Sequence, residues 1–134
     1  MIPRPDYIKI DKLSPLPIVK GNPIKLQQVF QNLIGNAIKF NDKSEGKITI
    51  DVSEIDDGYL FAIADNGIGI EKKYHDKIFK VFQSLQKSNE SSGIGLSVVK
   101  KIVELYGGEI WLESEPQKGS TFYFTIKSLS LIHI

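Results

Sequence analysis

The hydrophobic positions of this chain switch between helical and strand-like spacing, and their order predicts a mixed α/β domain. Asn22-Pro23 is typical of a helix start, and the apolar positions that follow recur at helical spacing up to about Phe40. They are Leu26, Val29, Phe30, Leu33 and Ala37. Residues 47–52 then alternate as a strand does, and Asp57-Gly58 predicts a hairpin into a return strand over 60–64.

The second half of the chain repeats this change of spacing. We expect a short helix over 73–82, a polar, Ser-rich loop over 83–92, and an amphipathic helix over 94–105 that Gly107-Gly108 ends. Strands are predicted over 109–113 and 121–126, with shorter extended pieces at 7–10 and 18–19. Helices and antiparallel strands joined by hairpin-like links predict an α+β fold. It would be a two-layer sandwich whose mixed, mostly antiparallel sheet carries helices on one face.

Composition narrows the classes of function without naming one. The 134 residues suit a single domain, which we place at 1–127, and the tail 128–134 is either a strand extension or foreign to the fold. A net charge of +1 predicts no nucleic-acid partner, and the lack of cysteine excludes disulfides and thiolate metal sites. Without an apolar run of membrane-spanning length or a signal-peptide core, we expect a cytoplasmic domain that makes no membrane contact.

The chemistry concentrates at Asp65-Asn66-Gly67-Ile68-Gly69, which directly follows the apolar strand 60–64. A carboxylate at a strand end can accept a hydrogen bond from an exocyclic amine, and glycines permit close backbone approach. Alone, such a string is most often an ordinary turn. Two other features make a binding site the better interpretation of this string. They are a polar stripe on the first helix, which contains Asn32, Asn36 and Lys39, and a second glycine pair at Gly93 and Gly95.

Five segments, in this order, resemble the boxes of the ATP-binding catalytic domain of sensor histidine kinases. They are 26–40 (N-box), 65–69 (first glycine box), 79–82 (F-box), 93–96 (second glycine box) and 119–122 (last short box). The sequences of the first and third segments are most similar to those of phytochrome-type and hybrid sensors. The resemblance implies the Bergerat ATP-binding fold, with ATP and Mg²⁺ as cofactors.

The resemblance also implies roles for individual residues. Asn36 would be a magnesium ligand, Lys39 would contact a phosphate, and Asn32 would orient water or phosphate; these three form the expected catalytic set. Asp65 would accept the adenine amine, which predicts ATP over GTP because guanine presents a carbonyl oxygen there. The other expected nucleotide contacts are Phe40, Gly67, Gly69, Ile70, Phe82, Gly93, Ile94, Gly95, Leu96 and Thr121.

Plainer interpretations remain open for several of these residues. Lys39 could be a solvated helix lysine, Phe40 could serve core packing, and the segment at 93–96 could be a simple helix entry. Residues 83–92 would form a lid that becomes ordered on nucleotide binding, or an inert surface loop. Two positions depart from the family's pattern: Ser91 and Gln117 stand where glycine is common.

One residue changes the expected reaction. Related ATPases carry a glutamate general base one turn before the magnesium-binding asparagine, whereas this chain has Asn32, which cannot accept a proton at neutral pH. The phosphoryl group should therefore pass to a histidine on a separate dimerisation domain, since His75 and His133 lack the acceptor's context. We expect this chain to be a monomer in isolation. Its expected partners are the dimerisation domain of the same kinase and, indirectly, a response regulator. A serine kinase of the anti-sigma type and a module that binds nucleotide without transfer are the alternatives.

Overall fold

A five-stranded mixed sheet organises the molecule, with strand order β1-β2-β3-β5-β4. The computed structural model describes residues 8–12, 23–79 and 93–127. The strands are β1 (Ile8–Lys12), β2 (Gly46–Ile55), β3 (Gly58–Asp65), β4 (Ile110–Glu115) and β5 (Gly119–Lys127). Only the β1–β2 pair is parallel, and the other described pairs are antiparallel.

Two helices cover one face of this sheet, α1 (Pro23–Lys39) and α2 (Gly93–Leu105). Along β3 and β5, side chains alternate between the two faces of the sheet, and those of Phe61 and Phe124 face the helices and are buried. Their rings stack at 4.9 Å between centroids, and Phe30 of α1 meets both edge-on. Burying each such side chain contributes about 1.5–3 kcal/mol, so this layer holds α1 in a defined position on the sheet.

These elements confirm the predicted α+β fold, both main helices and four of the predicted strands, with β1 at 8–12 in place of 7–10. Gly107, at φ 73°, and Gly108, whose N–H donates to the carbonyl of Val103, follow α2 as predicted. The hairpin prediction was off by one residue: Ile55 pairs with Gly58, so the turn is Asp56-Asp57 and Gly58 opens β3. A side chain at Gly58 would collide with the backbone of β5.

The predicted helix over 73–82 was wrong in the part that the structure describes. A single 3-10 turn spans Lys72–Tyr74, and turns that do not form a continuous helix follow to Phe79. Ile78 is buried in the core and Phe79 meets Phe122 edge-on at 6.2 Å, so tertiary contacts account for the apolar positions that suggested a helix. Residues 80–82, the predicted loop 83–92, the extended piece 18–19 and the tail 128–134 lie outside the described residues. In the described ranges, no helix is both long and apolar enough to cross a membrane.

Candidate functional site

The carboxylate of Asp65 lies at the end of β3, on the same side of the sheet as the helices. Its Oδ1 accepts the N–H of Gly67 at 2.8 Å, and the backbone N–H of Ser120 on the neighbouring strand also donates to it. Burial raises the pKa of this carboxyl group, while the two backbone N–H groups and the Lys43 ammonium act in the opposite direction. A carboxylate has about four acceptor positions, so two backbone donors leave capacity for a ligand.

The two glycines after Asp65 are required by the protein's own packing. A Cβ at Gly67 would lie 2.6 Å from the carbonyl oxygen of Phe40, at the end of α1. Gly69 has φ 75°, and a side chain there would collide with the carbonyl of Glu115, at the end of β4. The expectation was that these glycines let backbone approach a nucleotide. In the structure, they let the loop fit between α1 and the β4–β5 turn.

The β4–β5 turn holds the far side of this loop. The Ser114 hydroxyl accepts the Ile70 N–H at 2.7 Å and donates to the carbonyl of Gly119 at 2.9 Å. Its oxygen also lies 2.7 Å from the Ser120 hydroxyl. Gln117 donates its N–H to Ile68, and its φ of 68° is in the left-handed region that favours glycine. The departure from the family's glycine at 117 is therefore a point of local backbone strain.

The polar flank of α1 runs beside this loop. Asn32 and Asn36 are half-buried and lie one turn apart, while Lys39 is exposed with its ammonium 5.5 Å from the ring centroid of Phe40. At the other end, a Cβ at Gly95 would come within 3.2 Å of Asn32 Oδ1, so α2 begins against this flank. The flank therefore joins the start of α2 to the loop of Asp65.

The other predicted contact residues differ in how far they are buried. Phe40 and Ile70 are half-buried, and the backbone carbonyl of Phe40 accepts the Ile68 N–H at 3.0 Å. Leu96 is buried in the core, so only its backbone, in the first turn of α2, can face a ligand. Gly93 and Ile94 begin α2, and Phe82 lies outside the described residues.

Thr121 requires a correction. Its side chain faces the uncovered side of the sheet, because β5 alternates and Phe122 and Phe124 face the helices. Ser120 shares their parity, is buried, and pairs with Asp65 across the strands. The shared face of Phe122, Phe124 and Ile126, which the sequence already predicts, could have identified Ser120. Lys43 and the pair Asn41–Asn66 were also missed, because a surface loop carries no periodic signal.

The amide oxygens on the polar flank of α1 suit a hard cation whose other ligands come from a bound phosphate and from water. No group of three or more His, Cys, Asp or Glu side chains that could cage a metal occurs among the described residues. Magnesium is usually held by one or two protein oxygens together with phosphate oxygens and water. The amide oxygen of Asn36, on α1, is one protein oxygen of this kind.

Comparison with known proteins agrees with this geometry. Residues 21–130 match the family described as histidine kinase-, DNA gyrase B-, and HSP90-like ATPase. The chain belongs to this family, and its relatives are histidine kinases. The structure of the catalytic domain of the histidine kinase ThkA, in a nucleotide-free form, superposes with a TM-score of 0.75 at 28% identity, over 91% of this chain and 80% of that one.

Relatives that are much longer than this chain also match it. Cyanobacterial phytochrome A of Nostoc sp. and the phytochrome-like protein Cph1 of Synechocystis sp. are each 46% identical, over 84% and 86% of this chain. This chain spans only 15% and 16% of their lengths. A structure of full-length ShkA in complex with AMPPNP matches with a TM-score of 0.74 at 29% identity, over 90% of this chain and 26% of that one.

Proposed function

We propose that this chain binds Mg²⁺-ATP and donates the γ-phosphoryl group to a histidine on a separate dimerisation domain of the same kinase. The observation that carries the proposal is the position of Asp65. β3, which lies between β2 and β5, ends with this carboxylate near the Phe40 backbone, at one end of the amide flank of α1. This arrangement offers a base-binding acceptor and a row of metal- and phosphate-binding groups along a single cleft.

The base end of the cleft favours adenine. Asp65 has acceptor capacity beyond its two backbone donors, and the half-buried side chains of Phe40 and Ile70 would supply apolar surface for the base. The exocyclic amine of adenine would donate to the carboxylate, directly or through water. Guanine presents an oxygen at that position, and two facing acceptors in a buried site cost about 1–3 kcal/mol. The proposal therefore includes a preference for ATP over GTP.

The phosphate end lies along α1 and at the start of α2. Asn36 would hold Mg²⁺ through its amide oxygen, and the bound ion would neutralise charge on the phosphates. Lys39 would contact a phosphate as a point charge, and the backbone N–H groups from Gly93 to Leu96 would bind the phosphates at a helix N-terminus. Asn32, against Gly95, would orient the terminal group. The proposed catalytic contribution is positioning and charge neutralisation.

The acceptor is proposed to be outside this chain. Asn32 offers no general base for water, so hydrolysis should be slow. His75 is half-buried, and its Nε2 lies 2.8 Å from the carbonyl oxygen of Ile70; since a carbonyl only accepts, Nε2 donates and is occupied. His133 lies outside the described residues. A cytoplasmic, monomeric catalytic domain that serves the dimerisation domain, and through it a response regulator, fits these features.

Phosphotransfer in trans tests the proposal. The chain is mixed with the separately purified dimerisation domain of its own kinase, Mg²⁺ and ATP labelled at the γ-phosphate. We expect label on the dimerisation domain that is stable in base and labile in acid, as phosphohistidine is. Asp65→Asn should abolish most of it, whereas Asp56→Asn, at the exposed hairpin tip, should not. Acid-stable label would indicate a serine kinase instead, and nucleotide binding without label would indicate a binding module.

Calorimetry separates binding from transfer. A non-hydrolysable ATP analogue should bind the chain more tightly with Mg²⁺ than without it, and Asn36→Ala should remove most of that difference. Gln31→Ala removes an exposed amide from the same helix and is the matched control. An equal magnesium effect in both variants would refute the role proposed for Asn36.

A further inference from the structure

Asn41 is a buried amide that the proposed reaction has not yet used. It lies two residues after the end of α1 and is 8% exposed. Its Nδ2 donates to Asn66 Oδ1 at 2.8 Å, and its own Oδ1 accepts the backbone N–H of Lys43 at 3.0 Å. Because Asn66 is the residue after Asp65, this side-chain bridge joins the end of α1 to the base-binding loop.

The orientation of both amides is set by backbone groups. Asn66 Oδ1 also accepts the N–H of Lys47 at 2.8 Å, and its Nδ2 donates to the carbonyl of Glu45 at 3.0 Å. A backbone N–H can only donate and a carbonyl can only accept, so neither amide can be reversed without losing a partner. At the bridge, therefore, Asn41 must supply the N–H and Asn66 must supply the oxygen.

Other contacts run parallel to the bridge. Ile68 donates its N–H to the carbonyl of Phe40 at 3.0 Å, and the Lys43 ammonium donates to the carbonyl of Gly67 at 3.3 Å. Gly67 itself lies so close to Phe40 that no side chain fits between them. Of these contacts, the Asn41–Asn66 bond is the one between two side chains, and a substitution can therefore remove it without altering the backbone.

We propose that Asn41 is a positioning residue for the nucleotide. Through Asn66, it holds Asp65 at a set distance from the amide flank of α1 that carries Asn36. The inference rests on the proposed function, because a ligand that engages both Asp65 and Asn36 senses this distance most strongly. Adenosine, which does not reach Asn36, should lose less affinity than the ATP analogue when the bridge is lost.

Two variants with the same change of charge provide the test. In Asn41→Asp the N–H is lost, and a carboxylate faces the oxygen of Asn66. In Asn66→Asp the acceptor for Asn41 and for Lys47 is kept, and only the donor to the exposed carbonyl of Glu45 is lost, which water can replace. Each variant adds one negative charge beside Asp65, so the difference between them isolates the bridge.

The measured quantity is the ratio of affinities for a Mg²⁺-bound, non-hydrolysable ATP analogue and for adenosine, each by calorimetry. We expect this ratio to be about tenfold lower in Asn41→Asp than in Asn66→Asp, as the loss of a buried hydrogen bond allows. A purely structural role would lower the melting temperature and leave the ratio unchanged. Should Asn41→Asp not fold, Asn41→Ala against the exposed Gln31→Ala makes the same comparison without a charge change.

The outcomes separate this inference from the proposed function. Equal ratios in the two members of a pair refute the positioning role of Asn41 while the analogue still binds the unmodified chain. An unmodified chain that binds neither adenosine nor the analogue refutes the proposed function, and this inference with it.

Discussion

Replacing Asp65 by Asn changes one atom at the base end of the cleft and reverses what that atom offers. The carboxylate accepts N–H groups from Gly67 and Ser120 and keeps acceptor capacity for a ligand. Asn can still accept from Gly67, but its amide nitrogen would face a second donor, either Ser120 or the adenine amine. Losing one buried hydrogen bond costs about 1–3 kcal/mol, which weakens binding by about 5- to 150-fold.

Calorimetry with non-hydrolysable ATP and GTP analogues measures this effect. We expect Asp65→Asn to lose affinity for the ATP analogue by that factor and to lose none for the GTP analogue, because the new N–H can donate to the guanine oxygen. The ratio of the affinities for the ATP and GTP analogues should therefore fall. Asp56→Asn, the same chemical change at an exposed turn, is the control and should bind as the unmodified chain does. Unchanged affinity of Asp65→Asn for the ATP analogue would refute the assignment of the base site.

Four further predictions concern stability, each measured by thermal or denaturant unfolding. Gly69→Ala should destabilise the fold by about 1–3 kcal/mol, because φ is 75° there and the new Cβ meets the carbonyl of Glu115. Gly35→Ala, inside α1 with nothing within 4 Å, should instead stabilise it by about 0.5–1 kcal/mol, and loss of stability there would contradict the description of α1. Gln117→Gly should stabilise the chain by up to about 1 kcal/mol by relieving a φ of 68°, whereas Gln117→Ala should not; equal effects would rule out backbone strain as the cause. Burial raises the pKa of Asp65 above its ordinary value of 3.8, so the unfolded chain loses the Asp65 proton at a lower pH than the folded chain does. The stability that Asp65 contributes therefore falls as pH rises from 3.8, until the folded-state pKa is passed. Asp65→Asn should remove that part of the pH profile, and an unchanged profile would refute the raised pKa.

Periodicity predicted what depends on a buried stripe. The spacing of Val29, Leu33 and Ala37 is sufficient to predict α1, because the same stripe packs on the sheet. The alternation of Phe122, Phe124 and Ile126 likewise predicted the inner face of β5. The prediction of a helix over 73–82 was wrong because the apolar residues Ile78 and Phe79, which suggested it, are buried by tertiary contacts that a local pattern does not contain.

The candidate site was predictable where a residue type carries the chemistry, as for Asp65 and Asn36. It was not predictable where contacts between distant segments decide. Nothing local marks Ser114 as the partner of Ile70, 44 residues away, or Asn41 as the partner of Asn66. The two glycines show the difference well: the sequence predicts that their backbone approaches a nucleotide, and only the structure shows that Phe40 and Glu115 also leave no room for a side chain there.

A crystal structure grown with Mg²⁺ and a non-hydrolysable ATP analogue tests the central claim most directly. The account predicts the adenine amine within hydrogen-bond distance of the Asp65 carboxylate and, in the same molecule, Mg²⁺ at about 2.1 Å from the amide oxygen of Asn36. A cleft filled by the chain's own side chains, with the analogue bound elsewhere, would contradict it.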